Sequence, residues 1–159
     1  MGCLGEVVTT DGLALVRRVA AADHFLAVLV TIDGVGAPQI SLVNAGVLPH
    51  PLTATPCVGL VARGGTAKLR NLRRHPHATV VFRAGWEWVA VAGSCQLAGP
   101  DDPLAGLPAD RLPKLLRDIF HAAGGSHPDL DEYDRVMAAE RRTAVLVEPD
   151  RITTNPPST

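Results

Sequence analysis

The densest charge in the sequence lies in "RGGTAKLRNLRRHPHA" (Arg63–Ala78), where Lys68, Arg70, Arg73 and Arg74 fall within seven positions. The chain as a whole holds 15 basic and 16 acidic residues, a net charge of −1, so this cluster is local. Gly64-Gly65 comes first, then Thr66 as a helix cap, then a helix over 67–74 that stops before Pro76. Backbone N–H groups are free at such a helix start and favour an anion there. Lys68 opposes the helix dipole in the first turn unless it answers a bound negative charge. Arg70 and Arg74 share one helical face, Arg73 points elsewhere, and Asn71 follows Lys68 by three. A phosphate or acidic-ligand site fits these residues, and so does a solvated basic face.

Nothing else in the chain offers a complete catalytic set. The six histidines are dispersed, and His75-x-His77 has no third ligand beside it, so no metal centre is predicted. Cys3, Cys57 and Cys95 form no Cys-x-x-Cys pair and no disulfide framework. Glu140 beside Arg141-Arg142 reads as a local ion pair. Trp86 and Trp88 read as one face of a strand, from the period of two. They suit a core or interface contact, or one wall of a substrate pocket formed through Trp88 stacking on a planar molecule.

The elements that must position these residues follow from periodicity. Apolar Leu13, Leu15, Val16, Val19 and Ala20 predict a helix over Asp11–His24. Two β-branched runs flank Asp33-Gly34 as a hairpin. Pro49–Pro56 is a loop, and Cys57–Ala62 a third strand ending at the glycine pair. Ala78–Arg83 and Glu87–Gly99 are two more strands, joined at Ala84-Gly85. Leu112–His121 and Leu130–Glu140 are helical by period, and Thr143–Thr154 is a sixth strand. This order is not the βαβ alternation of a dinucleotide-binding fold, and no Gly-x-Gly-x-x-Gly is present. It predicts one α+β domain over 1–159, a mostly antiparallel barrel with helices outside it. Its parts are an N-terminal helical segment (1–24), five core strands with the basic helix 67–74 (25–99), a helical pair (110–140) and the last strand (143–154).

The whole chain narrows the classes. At 159 residues with 47% hydrophobic content it is large enough for a real core. No apolar run is long enough to span a bilayer. "MGCLGEVVTTDG" has no basic n-region, and Glu6 stands where a myristoylation signal wants Ser or Thr, so neither a signal peptide nor a lipid anchor is expected. The tail "NPPST" is expected to fray. Cysteine usage fits a reducing cytosol. Two lysines among thirteen arginines reflect genome composition, and a net charge near zero argues against a dedicated duplex-DNA binder.

"KLRNLRRHPHATVVF", preceded by a strand and small residues, resembles a hallmark of the pyridoxamine-phosphate-oxidase-like split β-barrel superfamily. "VLVTIDGVGAPQISLV" resembles that superfamily's first hairpin. "AGWEWVAVAGSCQL" and "DEYDRVMAAERRTAVLVEPDRI" are similar to its coenzyme F-420-dependent reductase branch, and together the likeness covers about residues 25–153. The resemblance implies a homodimer with cofactors in grooves between subunits. It also implies cofactor contacts from Ser41, Asn44, Ala62, Arg63, Thr66, Lys68, Asn71 and Leu72, with Lys68 at the phosphate and Ser41 facing the ring. Some relatives carry Arg where this chain has Thr66. Superfamily members use FMN, the deazaflavin or occasionally haem. The deazaflavin has an acidic polyglutamate tail that a cluster of Arg70, Arg73 and Arg74 would suit. The implied activity is hydride transfer from reduced coenzyme F-420 to a planar or conjugated organic acceptor. FMN as cofactor, and a flavin- or deazaflavin-binding protein without turnover, are the alternatives.

Overall fold

The computed structural model describes residues 8–155. The leader and lipidation readings, Cys3 and the last four residues of the tail lie outside them. The elements in chain order are α1 (Thr10–Ala22), β1 (Leu26–Ile32), β2 (Pro38–Pro49), β3 (Pro56–Ala62), α2 (Ala67–Arg74), β4 (His77–Ala84), β5 (Glu87–Ala98), α3 (Leu112–Ala122), α4 (Leu130–Ala139) and β6 (Thr143–Thr154). A single 3₁₀ turn, Ala109–Arg111, leads into α3.

The six strands close into an antiparallel barrel in the order β1-β2-β3-β6-β5-β4. Alternation along each strand decides the two faces. Leu29, Leu60, Val80, Phe82, Val89, Val91, Val145 and Val147 fill the interior. Helix α1 adds Leu13, Val16, Val19 and Ala20 to the same core, and α2 adds Leu69 and Leu72. A second layer forms outside, where Leu115, Leu116 and Ile119 of α3 pack on Leu48, Cys57, Ala98, Ala144 and Leu146. Gly46 sits under the end of α3, where a Cβ would lie 2.1 Å from the Ala122 carbonyl oxygen. The barrel with outside helices is therefore the predicted architecture, and β6 and α2 begin and end where the sequence placed them.

Some local expectations change. The β1–β2 turn is wider than Asp33-Gly34. Asp33 Oδ1 accepts from the backbone N–H groups of Val35 and Ala37, both at 2.9 Å, and these bonds hold its carboxyl below the usual carboxylate range. The β4–β5 turn is Gly85-Trp86, so Trp86 stands on the turn, 94% exposed, and does not share a strand face with Trp88. Val43 of β2 packs against the barrel core. Among the described residues, no helix is long and apolar enough to cross a membrane, which says nothing of strands.

Candidate functional site

The glycine pair sets the geometry at the end of β3. Gly64 N–H donates to the Glu140 carbonyl at 3.1 Å, and a Cβ on Gly64 would stand 2.8 Å from both the Cβ and the carbonyl oxygen of Arg141. Only a residue without a side chain lets β3 approach the end of α4 so closely. Gly65 then takes φ +76, the left-handed region. Thr66 occupies the N-cap position of α2 in extended backbone, as predicted. Its hydroxyl does not cap the helix, however; it donates back to the Arg63 carbonyl at 3.0 Å. The first turn of α2 is therefore left without a side-chain acceptor. Lys68 lies in that turn, half-buried, with no hydrogen bond or ion pair to any described residue.

Lys68, Thr66, Arg63 and Ala62 line a cavity of about 380 Å³ together with Leu42, Val43 and Asn44 of β2 and Val61 of β3. Asn44 Nδ2 also donates to the His24 carbonyl at 3.1 Å, tying β2 to the corner after α1. The opposite wall was not foreseen. It comes from Ile119, Phe120 and Ala123 at the end of α3, Tyr133 and Met137 of α4, and Arg142 just before β6. Phe120 and Tyr133 stack with ring centroids 4.6 Å apart, and the Tyr133 hydroxyl donates to the Leu116 carbonyl at 3.3 Å. Burial pushes the Tyr133 phenol up, and the positive charge of Arg142 opposes that shift. The cavity is thus amphipathic. Arg63, Lys68 and Arg142 supply cationic groups, Asn44 and Thr66 neutral polar ones, and the other lining residues are apolar or aromatic. Such a shape suits a planar molecule with an anionic end. The sequence signalled this wall only through the amphipathic period of α3 and α4, which shows that they pack but not onto what.

The remaining predicted residues lie elsewhere. Asn71 is buried and donates from Nδ2 to Thr31 Oγ1 at 3.1 Å and to Gln39 Oε1, locking α2 onto the first hairpin. Leu72 is in the core. Ser41 stands opposite the buried Leu29 in the β1–β2 register and does not line the cavity. Arg70 Nη1 donates to the Gly65 carbonyl at 2.7 Å. Arg73 makes a bidentate pair with Asp102 at 2.8 and 2.7 Å, which raises its guanidinium above the ordinary value. Arg74 reaches the β1–β2 turn, where a Cβ on Gly34 would lie 2.5 Å from its Nη1. The expected arginine cluster is thus dispersed over three different partners. Trp88 lines a separate concavity at the β4–β5 tip with Val81, Arg83, Gly85, Trp86 and Asn155. That concavity shares no residue with the first. Glu140 pairs with Arg142, as its position suggested, with Oε2 2.7 Å from Nε. Among the described residues, no three His, Cys, Asp or Glu side chains gather as metal ligands.

The barrel and its outer helices define the class of fold, the pyridoxamine-phosphate-oxidase-like split β-barrel, and solved structures share it at low sequence identity. A conserved hypothetical protein from Mycobacterium tuberculosis matches with a TM-score of 0.67 at 15% identity, covering 100% of this chain and 96% of that one. A pyridoxamine 5′-phosphate oxidase-related, FMN-binding protein from Nostoc punctiforme matches with a TM-score of 0.59 at 17% identity, covering 91% and 79%. An F420 reductase matches with a TM-score of 0.58 at 12% identity, covering 92% and 98%. Two further matched chains are longer, and this chain spans 62% of one and 55% of the other. No protein-family model matches the sequence.

Proposed function

We propose that this protein is an oxidoreductase that holds coenzyme F-420 in the Lys68 cavity. The observation that carries the reading is Lys68 itself. It is a half-buried ammonium without a protein partner among the described residues, in the first turn of an uncapped helix, lining a cavity whose surface is about half apolar. Leaving such a charge partly desolvated is unfavourable unless an anion completes it. Arg63, Thr66 and Lys68 would hold the phosphate end, and Leu42, Val61 and the Phe120–Tyr133 pair would flank the ring. When bound in its reduced form, the coenzyme supplies a hydride to a planar or conjugated organic acceptor. The residues of the chain bind, orient and exclude water. The likeness in fold to an F420 reductase supports this choice of cofactor.

A second reading, FMN in the same cavity, is favoured by one observation. Arg73 and Arg74 are engaged at Asp102 and at the β1–β2 turn, so the charge expected for a polyglutamate tail is not gathered at the cavity. FMN needs only the phosphate end, and a fold neighbour is an FMN-binding protein.

The working unit proposed is a cytosolic homodimer. The outer face of β1, β2 and β4 presents Val28 beside Leu42 and Val81, and Val30 beside Ile40 and Thr79. Ile40 and Leu42 are each 67% exposed, an apolar sheet face that a second copy would cover. Leu42 also lines the cavity, so the dimer would close the site. A sedimentation experiment showing a monomer at micromolar concentration would remove the shared site. The cofactor assignment is tested by titrating the protein with FMN and with the deazaflavin, and repeating this with Lys68→Ala and Lys114→Ala. Lys114 is exposed and pairs with Asp118 on its own helix. Losing the Lys68 contact is expected to cost about 1.5–3 kcal/mol, roughly ten- to a hundredfold in affinity, and losing Lys114 almost nothing. Equal effects would make the basic helix a solvated face, and tighter FMN binding would assign the site to FMN.

A further inference from the structure

We infer that Arg142 is an anion-binding residue of this cavity whose guanidinium is held by Glu140 until a phosphate competes for it. The inference rests on the reading of the cavity as a site for a phosphate-bearing ligand.

Three observations carry it. First, Arg142 is used differently from the other paired arginines. Arg18, Arg73, Arg117 and Arg141 each engage a carboxylate through two nitrogens. Arg142 donates only Nε, to Glu140 Oε2 at 2.7 Å, and its two terminal nitrogens have no partner among the described residues. Second, the pair is 29% and 28% exposed at Arg142 and Glu140, dry enough for its charges to be felt and open enough for a ligand to reach. Third, the backbone is built to aim it. Helix α4 ends with Arg141 N–H donating to Ala138 at 3.1 Å and Arg142 N–H to Met137 at 2.9 Å, with Arg141 at φ +50. This is a Schellman ending with arginine in the left-handed position that glycine normally fills. The turn sends Arg141 out to Asp101, while Arg142 lines the cavity wall. The neighbouring Glu140 carbonyl receives the Gly64 N–H, so Arg142 is fixed to the turn that leads into Lys68.

A planar guanidinium with two free terminal nitrogens matches two phosphate oxygens, a geometry that Lys68 cannot supply. An arriving phosphate adds a second anion to the one Arg142 already faces, so Glu140 sets a threshold that neutral ligands never meet. Arg142 would therefore select for the phosphate, while the apolar wall binds the ring regardless of it.

The test compares the deazaflavin coenzyme with its phosphate-free chromophore, and FMN with riboflavin, on wild type, Arg142→Gln, Arg142→Lys and Glu140→Gln. Arg142→Gln should weaken the phosphorylated ligands by about tenfold and leave the phosphate-free ones within about twofold. Arg142→Lys, which keeps the charge and guards against a folding defect, should fall between wild type and Arg142→Gln. Glu140→Gln should tighten the phosphorylated ligands alone. Equal weakening of both ligand types by Arg142→Gln, or no weakening of either, overturns the inference. If wild type binds none of the four ligands, the functional reading fails, and inorganic pyrophosphate decides the inference separately. Thermal stabilisation by pyrophosphate in wild type but not in Arg142→Gln would sustain it; no stabilisation of wild type would end it.

Discussion

Replacing Asn71 with alanine separates a residue that builds the site from one that touches the ligand. Asn71 belongs to the same short motif as Lys68, and the resemblance implies a cofactor contact for both. The structure gives them different surroundings. Asn71 is 5% exposed and bridges α2 to Thr31 and Gln39. Among the described residues, Thr31 Oγ1 has no other partner, and Thr31 is 2% exposed. Asn71→Ala therefore removes two hydrogen bonds worth about 1 kcal/mol each, and part of the desolvation cost of the stranded Thr31 hydroxyl, about 1–3 kcal/mol, adds to that. A total of about 2–4 kcal/mol follows. In a chain of this size each kcal/mol shifts Tm by about 2–4 °C, so calorimetry should show a fall of about 4–16 °C. Well below that transition, affinity for the phosphorylated ligand should stay within about threefold of wild type, because Asn71 does not line the cavity. Lys68→Ala should do the reverse, sparing Tm and losing ten- to a hundredfold in affinity, as reckoned above for a charge-assisted contact. If Asn71→Ala leaves Tm unchanged and lowers affinity tenfold or more, the reasoning fails, and Asn71 is a ligand contact as the motif implies.

Gly64→Ala forces a Cβ to within 2.8 Å of Arg141, so urea unfolding should show a loss of about 1–3 kcal/mol as β3 and the end of α4 move apart. Gly36→Ala is the control, since φ is +86 there but nothing lies within 4 Å; it should cost about 1 kcal/mol from backbone strain alone. Cys57 and Cys95 are buried, and burial pushes both thiols up to about 12. At pH 8 only about one part in ten thousand of each would be thiolate, so a Cys3→Ser variant should resist a thiol reagent until urea opens the barrel. Complete labelling within minutes in native buffer would contradict that packing.

Some of this molecule was legible in the sequence for a clear physical reason. Strand alternation and helix period are local, so β6 and α2 could be bounded without a structure, and Gly64-Gly65 announced a special backbone. The destinations of long side chains were not legible. Arg70, Arg73 and Arg74 lie within five positions, yet each goes to a different place: Arg70 donates to the Gly65 carbonyl, Arg73 pairs with Asp102, and Arg74 lies against Gly34 of the β1–β2 turn. Helical spacing specifies a direction from the axis, and the partner in that direction depends on the rest of the fold. Trp86 escaped because the strand begins at Glu87, as expected, and the period of two does not reach back into the turn before it. Arg142 escaped because its neighbours in sequence, Glu140 and Arg141, explain it well enough as a surface ion pair.

The cavity itself depends on a long-range contact. Its cationic end joins Arg63 and Lys68 to Arg142, nearly eighty residues later in the chain. No helix–helix packing brings these together. The register Ala62↔Thr143 of β3 and β6 does so, continued past the strand ends by the Gly64 N–H to Glu140 bond. Three cations near one another repel, and an unliganded cluster of this kind destabilises the fold that makes it. Glu140 offsets one of the three, and the other two have no carboxylate partner among the described residues. That imbalance is local, since the chain as a whole is close to neutral. The missing side chain at Gly64 and the left-handed Arg141 hold these like charges together, and each comes with backbone hydrogen bonds, to the Glu140 carbonyl from Gly64 and to the Ala138 and Met137 carbonyls from the end of α4. On the reading proposed above, an anion bound between the charges would offset their repulsion, and the glycine pair and the charges that follow it would then act as one device.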